Sequence, residues 1–139
     1  MSERSLTPRL RTLAILLLVY GAASLVHFTH NAEFIADYPN LPSTWSRADV
    51  YIAWIAITAL GIGGWALASR GFLLTGLVIL AVYAGLGLDS LGHYVLAPMS
   101  AHTLAMNGTI LAEVTAAGLV LVEVARQMAG RLFRSTRGQ

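Results

Sequence analysis

Four long apolar runs, separated by two short polar breaks and one long polar loop, organise the chain. They fall at about residues 12–29, 50–69, 72–94 and 101–128, each close to or above the ~20 helical residues that cross about 30 Å of hydrocarbon. Each run is continuous, without the alternation over about ten residues that marks a barrel strand, so the expected elements are helices. Residues 30–49 form the long loop, punctuated by Pro39, Asn40, Pro42 and Ser43, whereas Ser69-Arg70-Gly71 and Ala97-Pro98-Met99-Ser100 are tight turns. Short connections make neighbouring helices antiparallel. The expected fold is therefore all-α, an integral membrane antiparallel four-helix bundle forming a single four-pass domain over residues 1–139.

Composition agrees with lipid as the solvent: 56% of residues are hydrophobic and only 12% charged, and the mean hydropathy is +0.66, outside the balance of soluble domains. Cysteine is absent, which excludes disulfides, thiolate-ligated zinc or iron–sulfur centres and covalent c-type haem. Arginine is the only fixed cation, because the chain has no lysine. Arg4, Arg9 and Arg11 precede the first run, Arg70 lies in the second connection, and Arg126, Arg131, Arg134 and Arg137 close the chain. In a four-pass topology these share one side, and the positive-inside rule makes it the cytoplasm, with both termini. The other side, periplasmic for a bacterial inner (plasma) membrane protein, has Arg47 alone. There the sequence gathers Glu33, Asp37, Asp49 and all four histidines, with Tyr38, Trp45, Tyr51 and Tyr94 as an aromatic belt. Arg9, Arg11 and the small residues Gly21 to Ser24 imitate a signal peptide, but the apolar run continues through Leu25 and Val26, so an uncleaved anchor is expected.

Close helix contact in lipid relies on small residues. Gly21 and Ser24, Gly61 and Gly64, Ala81 and Gly85 beside Asp89, and Gly108, Ala112 and Ala116 are the expected packing faces, and the same faces would serve a homo-oligomer or a larger membrane complex.

The polar residues within the runs carry the candidate chemistry. Asp89 and His93, four apart, are expected on one inward face, since a carboxylate turned to lipid costs at least about 2.5 kcal/mol. His27 and His30 end the first helix, and His102 opens the fourth at the same level. Eleven residues further, Glu113 points the same way as His102 but lies about 16 Å deeper, so the two cannot share an ion; Asn107 and Glu113 are expected to line a polar cavity.

Imidazoles with carboxylates suit a transition-metal ion such as zinc, copper or iron. The expected ligands are His27, His30, Asp89, His93 and His102. Two alternatives remain open: a b-type haem held by His27 and His93 beside a quinone, and a metal-free polar cavity that binds a lipid headgroup, a quinone or a small solute, or relays protons. No H-E-x-x-H or di-iron Glu-x-x-His signature is present, and neither Ser90 nor Ser100 sits in a nucleophile motif.

Each residue has a plainer explanation. A single interfacial histidine is commonly a polar end group, Glu33 and Asp37 are more often solvated loop acids than ligands, and Met99 and Met106 would suit copper(I) but usually only pack. The basic residues flank membrane spans rather than form an aromatic-interleaved patch, which argues against nucleic-acid binding. If the metal or haem expectation holds, His93→Ala abolishes retention of the group by the purified protein; retention at wild-type stoichiometry, measured by elemental analysis and absorption spectrum, would remove His93 from the ligand set.

Overall fold

The computed structural model describes residues 8–135 and side chains up to residue 131; Arg4 and Arg137 lie outside the described residues, as does the side chain of Arg134. Described elements are α1 (Pro8–Glu33), a 3-10 turn (Ile35–Asp37), α2 (Arg47–Ser69), α3 (Leu73–Leu88), a second 3-10 turn (Asp89–Leu91), the short α4 (Gly92–Leu96), a third 3-10 turn (Met99–Ala101) and α5 (Leu104–Ser135). Four stretches are long and apolar enough to cross a membrane: α1, α2, the α3-to-α4 stretch Leu73–Leu96, and Leu104–Arg131 of α5. The chain is all-helical and reads as an integral membrane protein.

Local chemistry sets the helix ends. Pro8 is the first described residue of α1, a place where a missing N–H costs nothing. α1 continues past the expected residue 29 to Glu33, whose carboxylate accepts from the Tyr51 hydroxyl at 3.0 Å and pairs with Arg47 at 3.2 Å, clasping the two ends of the long loop. α2 starts at a capping box: the Asp49 amide donates to Ser46 Oγ at 3.3 Å and the Ser46 amide donates to Asp49 Oδ2 at 2.9 Å. It stops at Gly71, with φ +104°. There Phe72 N donates to Leu67 O at 3.0 Å and Gly71 N to Ala68 O at 3.5 Å, a Schellman ending that needs a left-handed residue. α5 begins at Leu104 rather than 101, because the Thr103 hydroxyl accepts from the Met106 amide at 3.2 Å and caps it. His102 therefore precedes the helix it was expected to open.

α1 packs against α2 and α5, and α3 packs against the same two helices. The core they enclose is built from Leu13, Tyr20, Leu77, Leu80, Tyr83, Ala117 and Val120. Tyr20 and Tyr83 lie with ring centroids 4.6 Å apart, and the Tyr20 hydroxyl donates to the Tyr83 carbonyl at 3.1 Å. Gly61 lies against the Tyr83 ring and Gly87 against the Tyr20 hydroxyl, each too close for a Cβ, whereas Gly85 and Gly108, expected at packing faces, would place a Cβ in open space. Large apolar side chains such as Leu18, Ile62, Val95 and Leu104 point outward, as a lipid-facing surface requires.

Gly87→Ala drives a methyl group into Tyr20 and should destabilise the protein by about 1–3 kcal/mol. In a Tyr20→Leu background, where the obstructing hydroxyl is gone, the penalty should be smaller. Thermal unfolding of the four proteins in one detergent checks this non-additivity.

Candidate functional site

At the histidine-bearing end, α1 brings Ser24, His27 and Asn31 to one face by their spacing of three and four residues. α5 brings Thr109 and Glu113 by a spacing of four. His27 and Glu113 are buried, at 2% and 0% exposure, and the His27 Nε2 atom lies 3.7 Å from Glu113 Oε2. The second 3-10 turn adds Ser90, whose hydroxyl donates to Glu113 Oε2 at 2.6 Å. Three segments thus converge on one carboxyl group.

The donors and acceptors constrain the protons. The Thr109 hydroxyl lies 3.1 Å from Met106 O and 3.3 Å from His27 Nδ1; when its hydrogen goes to Met106 O, its oxygen accepts from His27 Nδ1. A neutral His27 then turns the lone pair of Nε2 toward Glu113. Two lone pairs facing each other repel unless a proton is held on one of them. In that tautomer the His27–Glu113 pair, 3.7 Å apart, holds one exchangeable proton, as carboxylic acid with imidazole or as carboxylate with imidazolium.

Around this pair the other rings form a polar wall. The His93 ring centroid lies 5.5 Å from that of His27, edge to face, and 6.2 Å from that of His102. Asn31 Nδ2 donates to His93 Nε2 at 3.2 Å. His102 donates from Nδ1 to Pro98 O at 3.1 Å, which leaves its Nε2 as an acceptor. Tyr38, from the long loop, sits 4.9 Å from the His93 ring and hydrogen-bonds His30 Nδ1 at 3.0 Å. Burial pushes the Tyr38 phenol up to about 12, so it keeps its proton. Ser24 Oγ, Asn31 Oδ1, Trp54 Nε1, His102 Nε2 and Glu113 Oε1 are buried without a hydrogen-bond partner. Unpaired polar atoms are rare in protein interiors, and two of these five, Ser24 and Asn31, share the α1 face of His27.

A cavity of about 460 Å³ opens beside this wall, between α1, α2 and the α3–α4 stretch. Its polar side is His27, Asn31, Ser90 and His93, with Asp89 also in the lining; Leu41 and Trp45 of the long loop, Ile57 and Leu86 supply apolar surface. The Asn40 side chain donates to Leu96 O at 2.8 Å and ties the loop over the cavity. Asn40 holds φ +58°, a left-handed conformation that asparagine tolerates better than most residues.

The residues expected as metal ligands do not form one shell. Among the described residues, no group of three or more His, Cys, Asp or Glu side chains has a metal-binding arrangement. His27, His93 and His102 come together as adjacent rings. His30 is held away by Tyr38, and Asp89 is exposed, with no hydrogen bond to His93 among the described residues. The 3-10 turn at Asp89–Leu91 accounts for this: at three residues per turn, side chains four apart no longer share a face. Asn107 braces the chain entering α5, donating to Met99 O at 3.1 Å and His102 O at 3.3 Å and accepting from Tyr94, and it does not line the cavity. Glu113 lies behind the lining, joined to it by His27 and Ser90. Glu33 and Asp37 stay outside the site.

Asn31 and Ser90 belong to the network without having been expected there, and Tyr38 and Thr109 join it from the long loop and the polar stretch of α5. The face Ser24–His27–Asn31 and the pair Thr109–Glu113 are signals present in the sequence; the contributions of Tyr38 and Ser90 depend on a loop and a helix break that periodicity does not report. Comparison with protein families, curated proteins and solved structures returned no match.

Glu113→Gln preserves an acceptor for Ser90 and supplies a donor to His27 Nε2, so it should change stability by less than about 1 kcal/mol. Glu113→Ala leaves a cavity and unpaired polar groups and should cost about 3–5 kcal/mol. Thermal and denaturant unfolding in detergent distinguishes the two.

Proposed function

We propose that the protein binds a membrane-soluble amphiphile with a neutral, hydrogen-bonding head, of the quinone or quinol type, and exchanges a proton with that head through the His27–Glu113 pair. The observation that carries this is the buried His27–Glu113 pair, joined to the cavity by His27 itself and by Ser90. A head bearing carbonyl or hydroxyl groups would meet His27, Ser90 and His93 on the cavity's polar side. A phosphate head fits less well, because Asp89 shares the lining and Arg47, on the loop side, is engaged by Glu33. A second, mainly apolar cavity of about 480 Å³ runs between the same two helices, lined by Leu18, Gly21 and Leu25 of α1 and Thr58, Gly61 and Ile62 of α2. It begins next to the His27–Ile57 level of the first cavity and suits a hydrocarbon tail.

In this proposal the four spans form an antiparallel bundle in the plasma membrane, with the arginine-bearing termini in the cytoplasm and the cavity at the outer end. A transition-metal ion at the same place is favoured by one observation, an imidazole nitrogen and a carboxylate oxygen 3.7 Å apart with the His93 ring adjacent. A haem between His27 and His93 is disfavoured by the edge-to-face contact of the rings, which leaves no slot for a porphyrin plane.

Organic extraction and mass spectrometry of the protein purified in mild detergent, with elemental analysis of the same sample, tests the proposal. The wild type should release a near-stoichiometric isoprenoid or other tailed, neutral-headed molecule that Ser90→Ala/His93→Ala preparations retain at least tenfold less. Identical lipid profiles from both proteins would overturn it, and a near-stoichiometric metal would replace the amphiphile by the ion.

A further inference from the structure

The opposite end of the molecule holds a second polar cavity, of about 470 Å³, between the first turn of α1, the α2–α3 turn and the last turns of α5. Arg9 and Arg131 line it from elements separated by most of the chain, together with Ser69, Gly71 and Gln127. Arg70 lies between two of these lining residues. The nearby acid is already engaged. Glu123, 5% exposed, accepts from Arg126 Nε at 2.9 Å and Nη2 at 3.1 Å and from Gln127 Nε2 at 2.7 Å. The same Gln127 amide donates to Arg9 O at 3.1 Å, which fixes the start of α1 against α5 and sets Arg9 at the cavity wall. Among the described residues, no carboxylate pairs with Arg9 or Arg131.

We propose that this cavity binds a phosphate group, with Arg9 and Arg131 as its ligands. Guanidinium groups present paired N–H donors that match phosphate oxygens, and basic pockets between membrane helices hold phosphate-bearing headgroups. Two arginines lining one cavity, with Glu123 neutralised by Arg126 and hydrogen-bonded by Gln127, leave a positive site for an anion to complete. The phosphate belongs either to an anionic lipid of the adjoining leaflet or to a free phosphate, and the assignment does not depend on the cavity at the other end.

The test uses the full chain in nanodiscs of neutral phosphatidylcholine, titrated separately with short-chain phosphatidylglycerol and with inorganic phosphate while the thermal midpoint is read. The unmodified protein should be stabilised in a saturable manner by at least one of them. Phosphatidylglycerol alone identifies the headgroup, and an equal response to inorganic phosphate identifies the free ion. Arg9→Gln and Arg131→Gln, both at exposed positions, should each weaken the apparent affinity about tenfold. Arg11→Gln removes the same charge from the same end but from a residue outside the cavity, and should leave the affinity within about twofold. No saturable shift with either anion, or an equal loss in Arg11→Gln, would overturn the proposal and reduce the arginines to a diffuse positive flank.

Discussion

A carboxyl group buried among apolar helices must be satisfied by neighbours, and the histidine-bearing half of this molecule is arranged around that requirement at Glu113. It has no solvent-exposed surface, and the medium outside the helices offers no hydrogen bonds. Its partners come from other elements: Ser90 from the break after α3 and His27 from α1. His27 in turn is held through Nδ1 by the Thr109 hydroxyl. The helix break at Asp89–Leu91 follows the same logic. A continuous α-helix would keep Asp89 and His93 together; the 3-10 turn instead exposes Asp89 and buries Ser90 against the acid.

The two ends of the molecule solve different electrostatic problems. At the histidine end the single arginine is engaged by Glu33 at the loop clasp, and the buried acid is met by neutral or proton-sharing groups. At the arginine end the buried acid, Glu123, is held by a bidentate guanidinium and an amide. The proposed ligands follow from that contrast: a neutral head beside the histidine wall, and a phosphate where two arginines without a carboxylate partner among the described residues line a cavity. Between the ends, Tyr20, Tyr83 and the close-packed Gly61 and Gly87 hold the helices at short range, so that both cavities have fixed walls.

The long loop links the architecture to the site. It is clasped at its ends by Glu33 with Arg47 and Tyr51, tied to the end of α4 by Asn40, and folded inward so that Tyr38 packs between His30 and His93. Leu41 and Trp45 then form part of the cavity wall. A loop rich in proline and asparagine thereby contributes a buried aromatic and two apolar cover residues.

The sequence by itself determined the four membrane-length helices, because apolar runs of that length report the solvent directly. It also determined the tight Ser69–Gly71 turn and the segregation of histidines and arginines, since those are facts of linear order. Helix ends shifted by a few residues wherever a cap or clasp decided them, as at Glu33, Ser46 and Thr103. Only the tertiary structure decided which polar residues meet. Spacing along one helix fixes a shared face, but the pairing of His27 with Glu113 depends on the rotation and depth of α1 against α5, set by packing around Tyr20 and Tyr83. Asp89 is exposed in the cavity lining and Ser90 is turned onto Glu113 where three residues change from 3.6 to about three per turn, a local rotation that apolar periodicity does not encode.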